Sequence, residues 1–436
     1  MHHDLRTDSS RLLGAAIVIL GVLGFAGPLS AQLAPPKPSR VILPSEHLMR
    51  VWKEPPEWLV MALDLFAGGQ VAATDGWYRV DSSKIRHDWA ETLRRFDRNG
   101  DGYVARDEIP VPDADFARLD RDHSGRLNPE DFEFPKNSLA RARSKIIMSF
   151  ADADRDGRLS SHEFNQAIFM AKRDNFTLHM YFADSVGELE KEFASSAKAG
   201  MPFMALGDFQ EIVDRNAIRY AQPIPPRPDD EFDRARRETL LLAFARRDLG
   251  SYLEGPSLEA PAPDFSLPDV DSEEPYRLAD HIGSKPIVLI FGSLSNPHFR
   301  TEAGNLAKLQ HRYGDRAEFR LIYGRESHTT DGWRLPINDQ ANLKITQPTT
   351  SKDRTALAKY CRAKLNLKLP TSVDTMDDRV WSLYSGGPTR LYLIDRAGRI
   401  AYKGARGPFG FKVGELEQSL ILELASDTAG GAAKGR

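Results

Sequence analysis

Apolar and polar positions change their rhythm several times along the chain, and residues 286–291, PIVLIF, give the clearest signal. An unbroken apolar run of this length is the pattern of a strand buried on both faces of a parallel sheet. It stops at Gly292 and Ser293 and restarts at Asn296 and Pro297, which suit the N-cap and first position of a helix over 297–313 with Phe299, Leu306 and Leu309 on one side. Strands at 319–323, 371–374, 390–395 and 400–403 and helices at 354–365 and 413–424 follow, an α/β layout that starts near residue 260 and ends near 425. Residues 426–436 are expected to be a disordered tail. Before this domain, 221–228 is rich in proline and stiff, and 229–249 predicts a charged helix with Leu240, Leu241, Leu242 and Phe244 on its apolar side, broken by Gly255 and Pro256. Residues 217–259 are therefore expected to link two domains. Residues 32–83 hold Pro35, Pro36, Pro38, Pro55 and Pro56 and one apolar patch at 58–66, and stay unassigned.

At the N-terminus, Arg6 and Arg11 precede an apolar run over 12–27, and 28–31 ends it in small or neutral residues. This is the pattern of an export signal cleaved after Ala31. Retention as an anchor is the alternative, although sixteen residues are short for a span of about twenty. Either way the chain is expected outside the cytoplasm, periplasmic or extracellular, where structural calcium sites are common.

Between residues 84 and 216 the chemistry becomes specific. Residues 97–108 form a twelve-residue EF-hand loop: Asp97, Asn99 and Asp101 supply short oxygen side chains, Gly102 permits the turn, Tyr103 offers a carbonyl, and Glu108 closes the shell bidentately. Val104, at loop position eight, should make a short strand contact with a partner loop. Asp120, Asp122, Ser124, Gly125, Arg126 and Asn128 lead to Asp131, a shorter closing acid that should coordinate less completely. Asp152, Asp154, Asp156, Gly157, Arg158 and Ser160 lead to Glu163, which restores the ligand set. Segment 197–208 keeps the hydrophobic register of Met204 and Phe209 but lacks carboxylates at 197, 199 and 201, so it should pair without metal. Eleven residues with Pro110 and Pro112 separate the first two loops, too few for two full helices. Three loops in one chain predict an all-α EF-hand domain that binds Ca2+, as a sensor or, given export, as a constitutive structural element. A chelator is expected to lower the melting temperature of this domain and leave the α/β domain unmoved.

Composition narrows the partners. Of 436 residues, 59 are basic and 62 acidic, for a net charge of −3, so nothing marks a nucleic-acid surface. Cys361 is the one cysteine, which excludes an intrachain disulfide and a two-cysteine redox cycle. Its place beside Leu357 and Leu365 on the 354–365 helix suggests a buried structural thiol rather than a displaced nucleophile.

Gly387, Pro388 and Thr389 before a strand resemble the cis-proline turn of thioredoxin-like redoxins, and APAPDF at 260–265 resembles their opening. The closer resemblance is to the iodothyronine deiodinases, thioredoxin-fold selenoenzymes that remove iodine reductively from thyroid hormones. FGSLSNPHF at 291–299 is similar to their active-site segment, with Asn296 where the family has selenocysteine or cysteine and Leu294 where it has an auxiliary cysteine. YGRESHTTDGW at 323–333 resembles their acidic and histidine segment, which places Glu326 and His328 on the catalytic pair. VDTMD at 373–377 and GARGP at 404–408 complete the set, with Arg406 on a substrate-holding arginine, while Pro348 stands where the family has a second histidine. A carboxamide at 296 is no nucleophile at neutral pH. Two functions therefore remain open. One is an exported calcium-binding protein whose deiodinase-like domain has lost redox catalysis and binds a small phenolic or carboxylate ligand or acts as a scaffold, with a homodimer left open. The other is an oxidoreductase of the deiodinase or redoxin type.

Overall fold

A computed structural model describes residues 48, 50–52, 55–66, 85–132, 148, 151–173, 186–217, 237–407 and 410–433. The export segment, the prolines of 221–228 and Pro408 lie outside the described residues. Among the described residues no helix is long and apolar enough to cross a membrane.

The EF-hand part begins after α1 (Glu57–Phe66) with α2 (Trp89–Phe96), whose N-cap Asp88 accepts from the Glu91 amide at 2.9 Å. The first loop carries β1 (Val104–Ala105), α3 (Asp113–Leu119) follows, and the second loop carries β2 (Arg126–Leu127). β1 and β2 pair antiparallel with Val104 opposite Leu127, the contact expected of loop position eight. Just four residues, 109–112, separate Glu108 from α3, so the two loops share no full exiting helix. The third loop carries β3 (Arg158–Ser160), followed by α4 (Ser161–Arg173), α5 (Val186–Lys198), β4 (Phe203–Ala205) and α6 (Leu206–Ala217). Leu159 pairs with Met204, so segment 197–208 does serve as the structural partner of the third loop.

The α/β part opens with α7 (Arg237–Ala245), β5 (Ser266–Leu267) and β6 (Tyr276–Arg277). β7 (Ile287–Gly292), α8 (Pro297–Thr301), α9 (Ala303–Tyr313), β8 (Glu318–Tyr323), α10 (Pro336–Gln340), α11 (Ser351–Lys364), β9 (Thr371–Val373), α12 (Arg379–Leu383), β10 (Arg390–Ile394), β11 (Ile400–Lys403) and α13 (Val413–Ala433) complete it. The five-stranded sheet has the order β11-β10-β7-β8-β9, with β7, β8 and β9 parallel and β10 antiparallel to both its neighbours. Strand β7 lies in the middle and is buried at every position, which is why its sequence is continuously apolar.

Several boundaries differ from expectation. The helix expected over 297–313 divides at Glu302 into α8 and α9, at the place where the third EF loop presses on it: a Cβ at Gly304 would overlap the Gly157 carbonyl. The charged helix expected over 229–249 is described as α7, and Leu242 on its supposed apolar side is exposed, whereas Leu240 packs with Met61 and Leu65 of α1. The stretch leading to residue 259 is part of the α/β body rather than a free linker: the Glu259 amide donates to the Ile400 carbonyl at 2.8 Å, and α7 packs beside Trp333. Helix α13 continues through Ala433, so the tail expected from 426 is helical that far, there being no proline to stop it.

The two parts share one core. Phe96, Val104, Phe116, Leu119, Leu127 and Phe132 of the first two hands join Leu306, Leu309, Leu416 and Leu420 of α9 and α13. Arg86 bridges to Tyr402 at the edge of the sheet, and the Lys403 amide donates to the Ile85 carbonyl at 2.7 Å.

Candidate functional site

Each EF loop folds around its own carboxylates. The first-position acids Asp97, Asp120 and Asp152 accept from the amides of Gly102, Gly125 and Gly157 at 3.1, 2.9 and 2.9 Å, so the glycine turn and the first ligand are fixed together. The closing acids do the same across each loop: Glu108 accepts from the amides of Arg98, Asn99 and Ala105, Asp131 from those of Arg121, Asp122 and Asn128, and Glu163 from those of Ala153 and Ser160. Asp131 is fully buried and Glu108 nearly so, whereas Glu163 is half-buried. Tyr103, Arg126 and Arg158 hold position seven at the mouths of β1, β2 and β3, and the Arg126 guanidinium stacks 3.6 Å from the centre of the Tyr103 ring. Asn99 and Ser124 sit at the exposed rim, where Asn99 accepts from the Asp101 amide at 2.8 Å and Ser124 donates to the Arg126 carbonyl at 2.8 Å.

Among the described residues, carboxylate oxygens of Asp120, Asp122 and Asp131, and separately of Asp152, Asp154 and Asp156, lie within 4.8 Å of one another. Burial pushes Asp152 up to about 7 against the Gly157 amide that opposes it, and the neighbouring charges of Asp156, Asp154 and Glu163 add to the rise. Asp156 is pushed up to about 6 by burial and then by Asp154. Hard oxygen donors crowded against their own repulsion fit a hard dication such as Ca2+.

The second cluster forms where parallel β7 and β8 end side by side, Gly292 opposite Tyr323, so the segments that follow them meet at the carboxyl edge of the sheet. Asn296, 1% exposed, caps α8: its Oδ1 accepts from the amides of His298 and Phe299 at 2.9 and 3.2 Å, and its Nδ2 donates to the Pro388 carbonyl at 3.2 Å. The Gly387–Pro388 bond is cis, as the turn's resemblance implied. Glu326 is fully buried and accepts from the Ser295 amide at 2.7 Å and from the Tyr323 hydroxyl. Ser295 Oγ accepts from the amides of Ser327 and His328, both at 3.0 Å. His328 is half-buried, its Nδ1 lies 3.2 Å from the Trp333 carbonyl, and its ring meets the Trp333 ring edge-on at 4.6 Å. Burial pushes its imidazole down to about 4, with the Arg300 charge adding to the fall and the Trp333 carbonyl opposing it.

Ser295, next to Asn296, thus ties the Glu326 carboxylate and the His328 backbone to one corner, while the His328 ring itself lies against Trp333. Arg406 is 1% exposed, and its guanidinium donates to the Ser251 and Leu253 carbonyls at 2.8 and 3.3 Å and to Ser385 Oγ at 2.7 Å. Cys361 is fully buried, and burial holds its thiol well above the ordinary range, with Glu326 adding and Arg300 opposing. Leu294, at the auxiliary-cysteine position, is core.

Residues 243–423 match the iodothyronine deiodinase family model, and 90–109, 114–134 and 145–170 match the EF hand model. The chain joins a deiodinase-like domain to EF hands. A thyroxine 5-deiodinase of Gallus gallus is 31% identical to it over 166 residues, 38% of this chain and 62% of that protein. A type I iodothyronine deiodinase of Xenopus laevis is 35% identical over 156 residues, 36% of this chain and 59% of that protein. The chain therefore spans about three fifths of the length of these relatives. Among solved structures, a putative thiol:disulfide interchange protein DsbE from Chlorobium tepidum covers 39% of this chain and 99% of its own at 18% identity, with a TM-score of 0.28 that adds nothing to the fold already evident in the sheet order.

The residues that hold the deiodinase-like corner together escaped the sequence. Arg300 Nη1 donates to the Leu294 carbonyl at 2.6 Å and Nη2 to Asn338 Oδ1 at 2.8 Å, while Asn338 Nδ2 donates to the Ser295 and His328 carbonyls at 2.8 and 3.2 Å. Gln347, next to Pro348, exchanges two 2.9 Å hydrogen bonds with the Glu326 backbone. Arg300 is 2% exposed, a burial that the charged residue type in the sequence does not announce.

Proposed function

We propose that this chain is an exported calcium-binding protein whose deiodinase-like domain is a scaffold without thiol- or selenol-dependent turnover. Asn296 carries the reading. Its oxygen is engaged by the first-turn amides of α8, the groups that would otherwise stabilise a thiolate, and a carboxamide forms no covalent intermediate there. Cys361 offers no substitute, since it is buried with its thiol held neutral. Glu326 and Arg406 are both satisfied from within the protein, which supports a closed structural corner over a ligand pocket.

The residues that would hold Ca2+ are Asp97, Asn99, Asp101, Tyr103 and Glu108; Asp120, Asp122, Ser124, Arg126 and Asp131; and Asp152, Asp154, Asp156, Arg158 and Glu163, with positions 103, 126 and 158 acting through their carbonyls. The ion supplies folding free energy there. Export rests on Arg6, Arg11 and the apolar run that follows them.

The test is turnover of an iodinated phenol under a dithiol reductant by the native protein and by Asn296→Cys. No turnover by the native protein is expected. Turnover that survives in the native chain would overturn the reading, and its loss on Cys361→Ser would assign the chemistry to that thiol.

A further inference from the structure

Gly157 occupies the sixth position of the third EF loop with φ 78°, as Gly102 and Gly125 do in the other two with φ 84°. A Cβ at Gly102 or Gly125 would meet open space, but one at Gly157 would overlap the backbone carbonyl oxygen of Arg300. The loop is seated directly on α8. Neighbouring loop residues extend the seat: Arg155 Nη2 reaches Gln340 Oε1 at 3.3 Å, Lys364 Nζ donates to the Asp154 carbonyl at 3.2 Å, and Arg158 Nη2 donates to the Asn366 carbonyl at 2.6 Å. On the far side of the same turn of helix, the Arg300 side chain holds Leu294 and Asn338, and Asn338 holds Ser295 and His328.

One residue therefore has its backbone under a calcium loop and its side chain under the deiodinase-like corner. Burial pushes the Arg300 guanidinium down to about 10, and the carboxylates that oppose the fall include Glu326 from the corner and Asp152 from the loop. Ion binding draws together loop positions one, three, five and seven, and position six must move with its neighbours. Close-packed contacts pass such a shift on, because a seat this tight has no slack to absorb it.

We propose that Arg300 is a positioning residue through which calcium in the 152–163 loop sets the geometry of the corner formed by Leu294, Ser295, Asn296 and His328. The proposal rests on the calcium reading of the third loop given above.

Hydrogen–deuterium exchange of the full chain, with CaCl2 or with chelator, tests it. Calcium should slow exchange in 152–163 and also in 293–300 and 328–338, the last two roughly fivefold or more, the lower end of coupling between sites. Arg300→Lys keeps the charge but not the forked grip, and should leave the loop protected while 328–338 stops responding. Glu108→Gln, which weakens the first loop, should abolish the calcium protection of 97–108 while calcium still slows exchange in 293–300 and 328–338. Protection of 152–163 without any change at the corner would overturn the coupling and leave the calcium reading standing. No protection at 152–163 would overturn both. A full response at 328–338 in Arg300→Lys, or its loss in Glu108→Gln, would remove Arg300 and the third loop as the route.

Discussion

An amide and a thiolate placed at the first turn of α8 would face the same N–H groups. The thiolate would be stabilised for attack, whereas Asn296 is consumed as a cap. Arg406 shows the same inward turn, its donors ending on three internal oxygens. Arg406→Ala is expected to destabilise the protein by about 2–4 kcal/mol in urea melts, because it leaves the Ser251 carbonyl and the Ser385 hydroxyl buried without a charged donor. A loss below about 0.5 kcal/mol would mean that those acceptors find water. His328 makes a pH prediction. Its imidazole falls from 6.5 to about 4 in the folded chain, so between those values the unfolded chain binds the proton and the folded chain does not. Stability is therefore full above about pH 6.5 and lost as pH falls through about 4. Melts of the native protein and His328→Gln should diverge across that window by roughly 1–3 kcal/mol. Parallel curves would show that the ring protonates without penalty.

At the scale of elements, the loops differ in how they end. Glu108 and Glu163 have the length for bidentate coordination and Asp131 does not, so the outer two loops should bind calcium more tightly than the middle one. Calorimetric titration of the native chain, Glu108→Gln and Glu163→Gln checks this, and unchanged calcium affinity in both variants would end the metal reading. The 373–377 segment turns out to be a cap. Asp374 accepts from the amides of Thr375, Val380 and Trp381 at 2.8, 3.2 and 2.6 Å and so starts α12 from four residues upstream of its N-cap. Arg354 then holds the carbonyls of Asp374 and Thr375 and the Asp378 carboxylate.

Across the whole molecule, both pairs of hands lie on helices of the deiodinase-like domain. Asp115 accepts from the Tyr313 hydroxyl and from Arg316 at 3.1 and 2.8 Å, Gln418 donates to the Asp131 carbonyl at 2.9 Å, and Lys308 pairs with Asp208 at 2.6 Å. The expectation that chelation spares the α/β domain does not suit this arrangement, since the first pair's apolar residues are in the same core as α9 and α13. Calcium at about a hundred times its dissociation constant adds about 2.7 kcal/mol per site. Scanning calorimetry with chelator should therefore lower the melting of the deiodinase-like half by several degrees together with the EF hands. An endotherm for that half that stays in place on chelation would show that the halves unfold independently.

Local rules account for what the sequence alone determined. Ligand spacing is local, so all three loops, their glycine turns, the pairing of Val104 with the neighbouring loop and that of the Met204 segment with the third loop were legible, as were the strand at 286–291 and the cap at Asn296. Arg300 and Gly157 are 143 positions apart, and neither carries a mark of the other. Their contact and the common core exist because α8, α9 and α13 leave apolar and polar surface that the EF hands cover, and Arg406 is buried because 251–253 folds back onto it from within the α/β part. Such surfaces are matched in three dimensions by shape and hydrogen-bond geometry, which the tertiary structure alone decides.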